Sequence, residues 1–244
     1  MSEAVRIAMW SGPRNISTAL MRAFGSRPDT AVMDEPFYAH YLQATGSPHP
    51  GREEVIAGHE CDWRRVLEAM LGPVPGGRRV FYQKHMTHHL LPGMARDWLA
   101  AMRHGFLIRR PEEVVRSYAR ERPDPTLADL GFAEQAALFD EVCDLSGASP
   151  PVLDADDVLA NPRGCLAALC AALDLPFDDA MLSWPAGPRE SDGVWGKHWD
   201  GPVWRSTGFQ PPQLERAPLP ACLARLAEAA WPHYRRLHEK RLLG

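Results

Sequence analysis

Short apolar runs alternate along the first two thirds of the chain with segments in which apolar residues recur at helical spacing. This alternation is typical of parallel strands joined by crossover helices. The pattern predicts strands at residues 5–10, 30–34, 79–83, 106–108 and 151–153. It predicts helices at residues 17–24, 62–71, 90–102, 111–120, 132–145 and 163–173. We therefore expect an α/β fold with one parallel sheet flanked by helices.

The alternation ends after Leu175. Residues 176–218, which we name the cover segment, are rich in proline, glycine and tryptophan. Four of the tryptophans are Trp184, Trp195, Trp199 and Trp204. A segment this long without regular structure is usually functional or disordered, and its tryptophans argue against disorder. An amphipathic helix is predicted at residues 220–238, and we interpret residues 1–244 as one domain closed by an irregular cover.

Composition narrows the class of protein. The chain has 244 residues, of which 45% are apolar, enough for a substantial core. A net charge of −4 lacks the basic excess of a generic nucleic-acid or membrane-surface binder. We expect no membrane span and no signal peptide, because no apolar run approaches about 20 residues and the start carries an acid. Five cysteines without a Cys-x-x-Cys pair favour reduced thiols and a cytoplasmic location.

The stretch SGPRNISTAL, residues 11–20, joins the first predicted strand to the first predicted helix. Such a junction gathers backbone N–H groups and a helix dipole at one point, which suits an anion. Arg14 adds a planar fork of donors, and Ser17 and Thr18 add hydroxyls. The Gly-Lys of a Walker loop is missing, which favours a phosphate-like group bearing a second anion over a magnesium triphosphate. The alternative is that Ser17 is an ordinary helix cap.

Two later segments carry further candidates. In FLIRRPEEVVRSYAR, Arg109 ends a strand and Ser117 lies almost two turns into the next helix, so both can converge on one anion. The alternative is that Arg109 and Arg110 cap a solvated surface and Ser117 is incidental. In YQKHMTHHLLP, His85 follows a strand, where α/β folds place their chemistry, and imidazole suits a general base. We expect structural roles for His88 and His89. No H-E-x-x-H pattern or thiolate pair accompanies them, so no metal is expected.

Together these segments resemble the sulfotransferases that use 3′-phosphoadenosine 5′-phosphosulfate (PAPS). SGPRNISTAL is similar to their 5′-phosphosulfate loop, RRPEEVVRS to their 3′-phosphate motif, and KHMTHHLLP to the segment with their catalytic histidine. The order matches over about residues 5–120, and LDADDVLANPRGCLAALCAALDLPF extends a weaker resemblance to about residue 177. The resemblance implies a P-loop-nucleotide-hydrolase-like sulfotransferase fold. It also implies transfer of a sulfuryl group from PAPS to a hydroxyl or amine of an unidentified small-molecule or sugar acceptor.

The resemblance implies a role for each site residue. His85 would take the acceptor proton, Arg14 would neutralise charge on the leaving 5′-phosphate, and Lys84 would reach the sulfonate. The implied donor-binding residues are Ser11, Gly12, Arg14, Asn15, Ser17, Thr18, Lys84, Arg109 and Ser117. No metal is required, because protein cations neutralise the charge.

Two departures from the family pattern affect the mechanism. Arg14 stands where the family usually has lysine, and an arginine, which stays charged, hardly donates a proton to the leaving phosphate. In MDEPFYAHYL, Glu35 lies where some bacterial sugar sulfotransferases hold a catalytic glutamate. Glu35 is therefore the second candidate base, or else a carboxylate that holds Arg14 in place. We place His85 first.

The cover segment and the acceptor pocket are less closely defined. In the family a C-terminal stretch folds over the 3′-phosphate and adenine, and residues 193–197 or 204–209 are the candidates here. The aromatic cover segment is also a candidate homodimer interface. The candidate acceptor-pocket residues are Glu35, Phe37, Tyr38, Tyr41 and the tryptophans of the cover segment.

Three rival functions follow from the same residues. A nucleotide-dependent kinase on this fold would require magnesium and an acidic ligand at a strand end. The candidates for that ligand are Asp34, Asp154 and Asp156. A non-catalytic protein that binds 3′-phosphoadenosine nucleotides would keep Arg109 and Ser117 without needing His85. A plain α/β scaffold would use the cover segment to bind a protein partner, and we rank all three below the sulfotransferase in this order.

Overall fold

The computed structural model describes residues 4–122, 124–211 and 217–244. The strands are β1 (Val5–Ser11), β2 (Thr30–Asp34), β3 (Val80–Met86), β4 (Arg103–Ile108) and β5 (Val152–Asp154). They form one sheet in the order β2-β3-β1-β4-β5, and every neighbouring pair is parallel. The predicted α/β fold with a parallel sheet is confirmed. The main difference lies in β3, which continues to Met86 instead of ending at residue 83.

Helices cover both faces of the sheet. Within the described residues they are α1 (Ser17–Gly25), α2 (Tyr38–Thr45), α3 (Arg52–Gly58), α4 (Trp63–Leu71), α5 (Pro111–Ala119), α6 (Leu127–Leu130), α7 (Phe132–Ser146), α8 (Ala155–Ala160), α9 (Pro162–Ala172), α10 (Gly196–Trp199), α11 (Gly201–Trp204) and α12 (Ala221–His238). Short 3₁₀ turns lie at Pro75–Gly77, Thr87–His89, Asp97–Ala101 and Asp179–Leu182. None of the helices in the described ranges is both long enough and apolar enough to cross a bilayer.

Two apolar cores lie on the two faces of the sheet, because successive strand residues point to opposite sides. Ile7 and Met9 of β1 pack with α1 and α9 in one core. Ala8 and Trp10 pack with α7 and α12 in the other. The central strand β1 is thus buried on both faces, and Ile16 of the loop that follows it packs against the core that contains Ile7 and Met9.

The predicted helix at residues 90–102 is wrong. The structure has only 3₁₀ turns at Thr87–His89 and Asp97–Ala101, with irregular backbone between them. Pro92 lacks a backbone donor, and Gly93 has a φ of +87°, a conformation that ends a helix. The short helices α2, α3, α6 and α8 were not predicted, because none is long enough to show a clear helical period.

The cover segment contains more regular structure than its composition predicts. It holds one 3₁₀ turn and the four-residue helices α10 and α11. Trp184 and Trp195 are almost fully buried, so the segment packs on the domain as expected from its tryptophans. Residues 212–216 of the predicted cover lie outside the described residues. The predicted C-terminal helix is confirmed as α12, which packs against α5 and α7.

The sheet order places a crevice between the ends of β1 and β4. The connection from β1 leads through α1 to the edge strand β2, whereas the connection from β4 leads through α5 to α7 towards the opposite edge strand β5. Ligands of open α/β sheets bind at such a topological switch point, at the carboxyl ends of the strands.

Candidate active site

The loop between β1 and α1 has a constrained backbone. Arg14 and Ile16 have φ values of +64° and +58°, in a left-handed region that side chains other than glycine seldom adopt. The buried Asn15 donates from Nδ2 to a backbone oxygen of β4 over 3.2 Å. A Cβ at Gly12 would lie 2.6 Å from a backbone oxygen of α6, so the chain approaches too closely there for any side chain. Such a loop can turn successive N–H groups towards one anion.

Arg14 joins this loop to two other parts of the molecule. Its Nε donates to Ser117 Oγ of α5 over 2.9 Å, and its backbone oxygen accepts from Arg109 Nη1 over 2.9 Å. Its Nη1 donates to the backbone oxygen of Trp199 in α10 over 3.0 Å. The structure therefore brings Arg109 and Ser117, whose spacing predicts convergence, to the same loop residue, Arg14. Burial lowers the pKa of both arginines, but a guanidinium keeps its charge at neutral pH.

These residues line a cavity of about 280 Å³ at the carboxyl edge of the sheet. Most of the predicted site residues are in its wall. They are Arg14, Asn15, Ser17, Thr18, Glu35, Lys84, Arg109 and Ser117. Ser11 and Gly12 are not in the wall: Ser11 is the fully buried last residue of β1, and Gly12 shapes the loop behind it.

The ends of β2 and β3 carry a buried group of charges. Asp34 and Lys84 are paired residues in the strand register, and Lys84 Nζ lies 2.8 Å from Asp34 Oδ1 and 2.8 Å from Glu35 Oε1. Glu35 thus pairs with Lys84, not with Arg14. Burial raises the pKa of Glu35, and the nearby ammonium opposes that rise. Burial likewise raises the pKa of Asp34 to about 6.

The structure does not bring His85 to the cavity. Because β3 continues to Met86, His85 is a strand residue opposite Trp10, on the face of the sheet opposite to that of Lys84. Its ring is 1% exposed and lies 4.5 Å from the Trp10 ring, and Nε2 is 3.2 Å from Gln83 Oε1. Burial lowers the pKa of His85 to about 3. A core position and so weak a basicity oppose the predicted role of general base.

Other imidazoles occupy the cavity wall. His88 and His89, for which the sequence favours structural roles, both line it. His89 Nδ1 lies 3.9 Å from Glu35 Oε2, and the His89 ring stacks on Tyr38 at a centroid distance of 4.8 Å. Burial lowers the pKa of both histidines, so they stay neutral. No sequence signal marked them, because the turn at Thr87–His89 has no periodic pattern.

The candidate acceptor residues divide between the cavity and the core. Tyr38 lines the cavity, whereas Phe37 lies in the core near Trp98, at a ring distance of 5.9 Å. Tyr41 packs behind the wall on His89 at 4.6 Å.

The cover segment contributes Trp199, one of the candidate acceptor-pocket tryptophans, and three residues that the sequence did not indicate. Neither 193–197 nor 204–209 lines the cavity; the stretch between them does, with Trp199, Asp200, Pro202 and Val203. Asp200 Oδ1 accepts a hydrogen bond from Thr18 Oγ1 over 2.9 Å, and Asp200 is 5% exposed. Because Asp200 and Thr18 are 182 positions apart in the chain, no local sequence pattern predicts their contact.

A second cavity, of about 190 Å³, shares Glu35 with the first. Its other polar wall residues are Asp34, His59, Glu60, Arg65 and Trp195. Glu35 therefore lies between two cavities. In the described part of the chain no group of three or more histidine, cysteine or acidic side chains is arranged to hold a metal ion.

An all-parallel sheet with a strand–loop–helix junction at its switch point is typical of α/β proteins that bind phosphate-like groups. Within that class, residues 5–241 match the model of the sulfotransferase domain, and the chain belongs to that family. Two solved structures share the fold. A sulfotransferase from Alicyclobacillus acidocaldarius is 14% identical with a TM-score of 0.58, covering 99% of this chain and 98% of that one. The sulfotransferase domain of the Synechococcus PCC 7002 olefin synthase is 16% identical with a TM-score of 0.52, covering 94% and 95%.

Two curated relatives come from Arabidopsis thaliana. Branched-chain-amino-acid aminotransferase-like protein 1 is 36% identical over 234 residues, which are 96% of this chain and 42% of that protein. Branched-chain-amino-acid aminotransferase-like protein 2 is 34% identical over 228 residues, which are 93% and 40%. The chain spans less than half the length of these relatives.

Proposed function

We propose that this sulfotransferase domain moves the sulfuryl group of PAPS to a hydroxyl or amine of a small-molecule or sugar acceptor. The observation that carries the proposal is the convergence of Arg14, Arg109 and Ser117 beside the start of α1. This arrangement offers two anion sites, one on the loop for the 5′-phosphosulfate and one on Arg109 and Ser117 for a 3′-phosphate. Family membership supports the transfer chemistry.

The loop would stabilise the leaving group. As the acceptor oxygen or nitrogen bonds to sulfur, the bond from sulfur to the 5′-phosphate oxygen breaks and its electron pair stays with that oxygen. The loop N–H groups, the α1 dipole and Arg14 stand where this charge grows, and preorganised donors of this kind are a major source of catalysis. No metal enters the proposal, as in the sequence-based prediction, because two guanidinium groups supply the positive charge.

We assign the general base to Glu35 instead of His85. Glu35 lies in the cavity wall, and its backbone N–H is fixed by the Lys84 oxygen over 2.9 Å. Burial raises the pKa of its carboxyl towards the working pH, which strengthens it as a proton acceptor. Lys84 then orients Glu35 and balances its charge.

The acceptor would lie on the side of Glu35 that Tyr38, His49 and His89 line. These aromatic and neutral imidazole groups suit an uncharged acceptor with hydroxyl groups. A cytoplasmic location, action as one domain over residues 1–244 and a homodimer remain predictions.

A direct assay tests the function. The protein is incubated with sulfur-labelled PAPS and a panel of sugars, amino alcohols and phenols, without magnesium. We expect labelled product and an equal amount of adenosine 3′,5′-bisphosphate. A parallel arm uses ATP, magnesium and the same panel. Phosphate transfer in that arm alone would favour the kinase, and nucleotide binding without turnover on any acceptor would favour the non-catalytic protein.

A further inference from the structure

The carboxylate of Asp200 occupies part of the proposed anion site. Asp200 joins α10 to α11, and its Oδ1 accepts from the hydroxyl of Thr18, the second residue of α1. Its Oδ2 is buried and has no hydrogen-bond partner. The backbone oxygen of the adjacent Trp199 accepts a hydrogen bond from Arg14 Nη1 over 3.0 Å. The cover segment thus engages two donors that a bound phosphate group would use.

The charges around Asp200 do not favour a second anion beside it. The charged groups that interact with it are Lys84 of β3, Asp34 of β2, Glu35 after β2, Arg14 of the loop and Asp192 of the cover segment. The Lys84 ammonium is already shared by two carboxylates at 2.8 Å. Burial raises the pKa of Asp200, and Asp34 and Asp192 raise it further. Lys84 and the hydrogen bond from Thr18 lower the same pKa and favour the carboxylate. A phosphosulfate that arrived at Thr18 would meet a like charge in a site with little water to screen it.

We propose that the Asp200 carboxylate occupies the anion site at the phosphate loop while the donor is absent. The 5′-phosphate end of the donor displaces this carboxylate when it binds. The contact between Asp200 and Thr18 stands by itself, whereas the identity of the displacing ligand rests on the proposed function. Asp200 therefore weakens donor binding and keeps the loop ordered until the donor arrives.

The structure limits how far the cover segment has to move. Asp192 fixes it, since Arg22 Nη2 lies 2.5 Å and Trp204 Nε1 2.9 Å from Asp192 Oδ2, with Arg22 and Asp192 both buried. The helices α10 and α11 have four residues each and meet at Asp200, and at the following Gly201 an added Cβ would lie 3.4 Å from Arg205 Nη1. We expect the carboxylate to leave by rotation at this junction, with the Asp192 anchor intact.

The test is calorimetric titration at pH 8 of the wild-type chain, Asp200→Asn and Asp174→Asn. The ligands are adenosine 3′,5′-bisphosphate and inorganic pyrophosphate. Asparagine keeps an oxygen for Thr18 and removes the charge, so we expect Asp200→Asn to bind both ligands about tenfold tighter or better. Asp174 is 93% exposed and pairs with Arg103 at the amino end of β4, away from the cavity. Asp174→Asn should bind as the wild type does.

Unchanged or weaker binding of both ligands by a folded Asp200→Asn overturns the inference, because Asp200 would then support the anion site. Asp200→Ala, which deletes the contact with Thr18, serves as a second variant and should also bind more tightly. The proposed function is judged separately, by titrating the wild type with adenosine 5′-monophosphate to determine whether nucleotide binding requires the 3′-phosphate. If it does not, pyrophosphate still decides the role of Asp200.

Discussion

The two sides of the cavity hold their charges in different ways. On one side, Arg14, Arg109 and Ser117 come from strand–loop–helix units, and Arg14 is hydrogen-bonded to both of the others. On the other, Asp34 and Lys84 meet across the β2–β3 register with Glu35 beside them, and one ammonium is shared by two carboxylates. In the proposed function the cationic side binds and stabilises anions, whereas the acidic side accepts a proton. Substitutions should separate these two tasks.

The largest effect on turnover is expected from Glu35→Gln. The loss of the base should lower kcat by about a hundredfold to ten-thousandfold, while the dissociation constant for adenosine 3′,5′-bisphosphate stays within about threefold. Steady-state kinetics with PAPS and the acceptor found in the panel, with titration of the nucleotide, measure both. Glu68→Gln, an exposed carboxylate on α4, is the matched control. A Glu35→Gln enzyme with wild-type kcat would refute the assignment.

Arg14→Ala removes a guanidinium from the cationic side of the cavity. Removing one preorganised donor to the leaving group is expected to lower kcat by about a hundredfold or more. Arg14→Lys keeps the charge and should recover part of that rate. The same kinetic assay compares the two variants. Equal rates for both would show that the charge at this position has no catalytic role.

The pH dependence of kcat/KM should report the ionisation of Glu35, on the acidic side of the cavity. The base accepts a proton only as a carboxylate, so kcat/KM should fall about tenfold per pH unit below the pKa of Glu35. Because burial raises that pKa above 4.5, the fall should begin at a higher pH than for an exposed glutamate. The acid limb should persist in His89→Gln. Its disappearance in that variant would move the base to the histidine.

The smallest effect on turnover is expected from His85→Gln. This core substitution should lower the free energy of unfolding by about 1–3 kcal/mol, since it disturbs packing on Trp10. The folded fraction should keep its kcat within about threefold. Denaturant unfolding and active-site titration give the two quantities. A loss of kcat as large as that of Glu35→Gln would restore His85 as the base.

Sequence patterns predict well those features whose residues belong to one strand, its loop and the helix that follows. The loop at residues 11–20 and the Arg109–Ser117 spacing each combine a strand end and a helix start, so their chemistry and position come from the same few residues. His85 shows the limit of this reasoning, because extension of β3 to Met86 decides which face of the sheet it occupies. Asp200 has no local signal at all, and only the folded chain places it on Thr18.

Calorimetric titration without magnesium tests most directly the central claim that the cationic side binds a 3′-phosphoadenosine nucleotide. We expect the wild type to bind adenosine 3′,5′-bisphosphate at least about tenfold tighter than adenosine 5′-monophosphate, since a charged hydrogen bond contributes about 1.5–3 kcal/mol. Arg109→Ala should remove most of that difference. Arg110→Ala, whose side chain pairs with Asp156, should retain it. Equal affinity of the wild type for both nucleotides, or binding of ATP with magnesium alone, would contradict the claim.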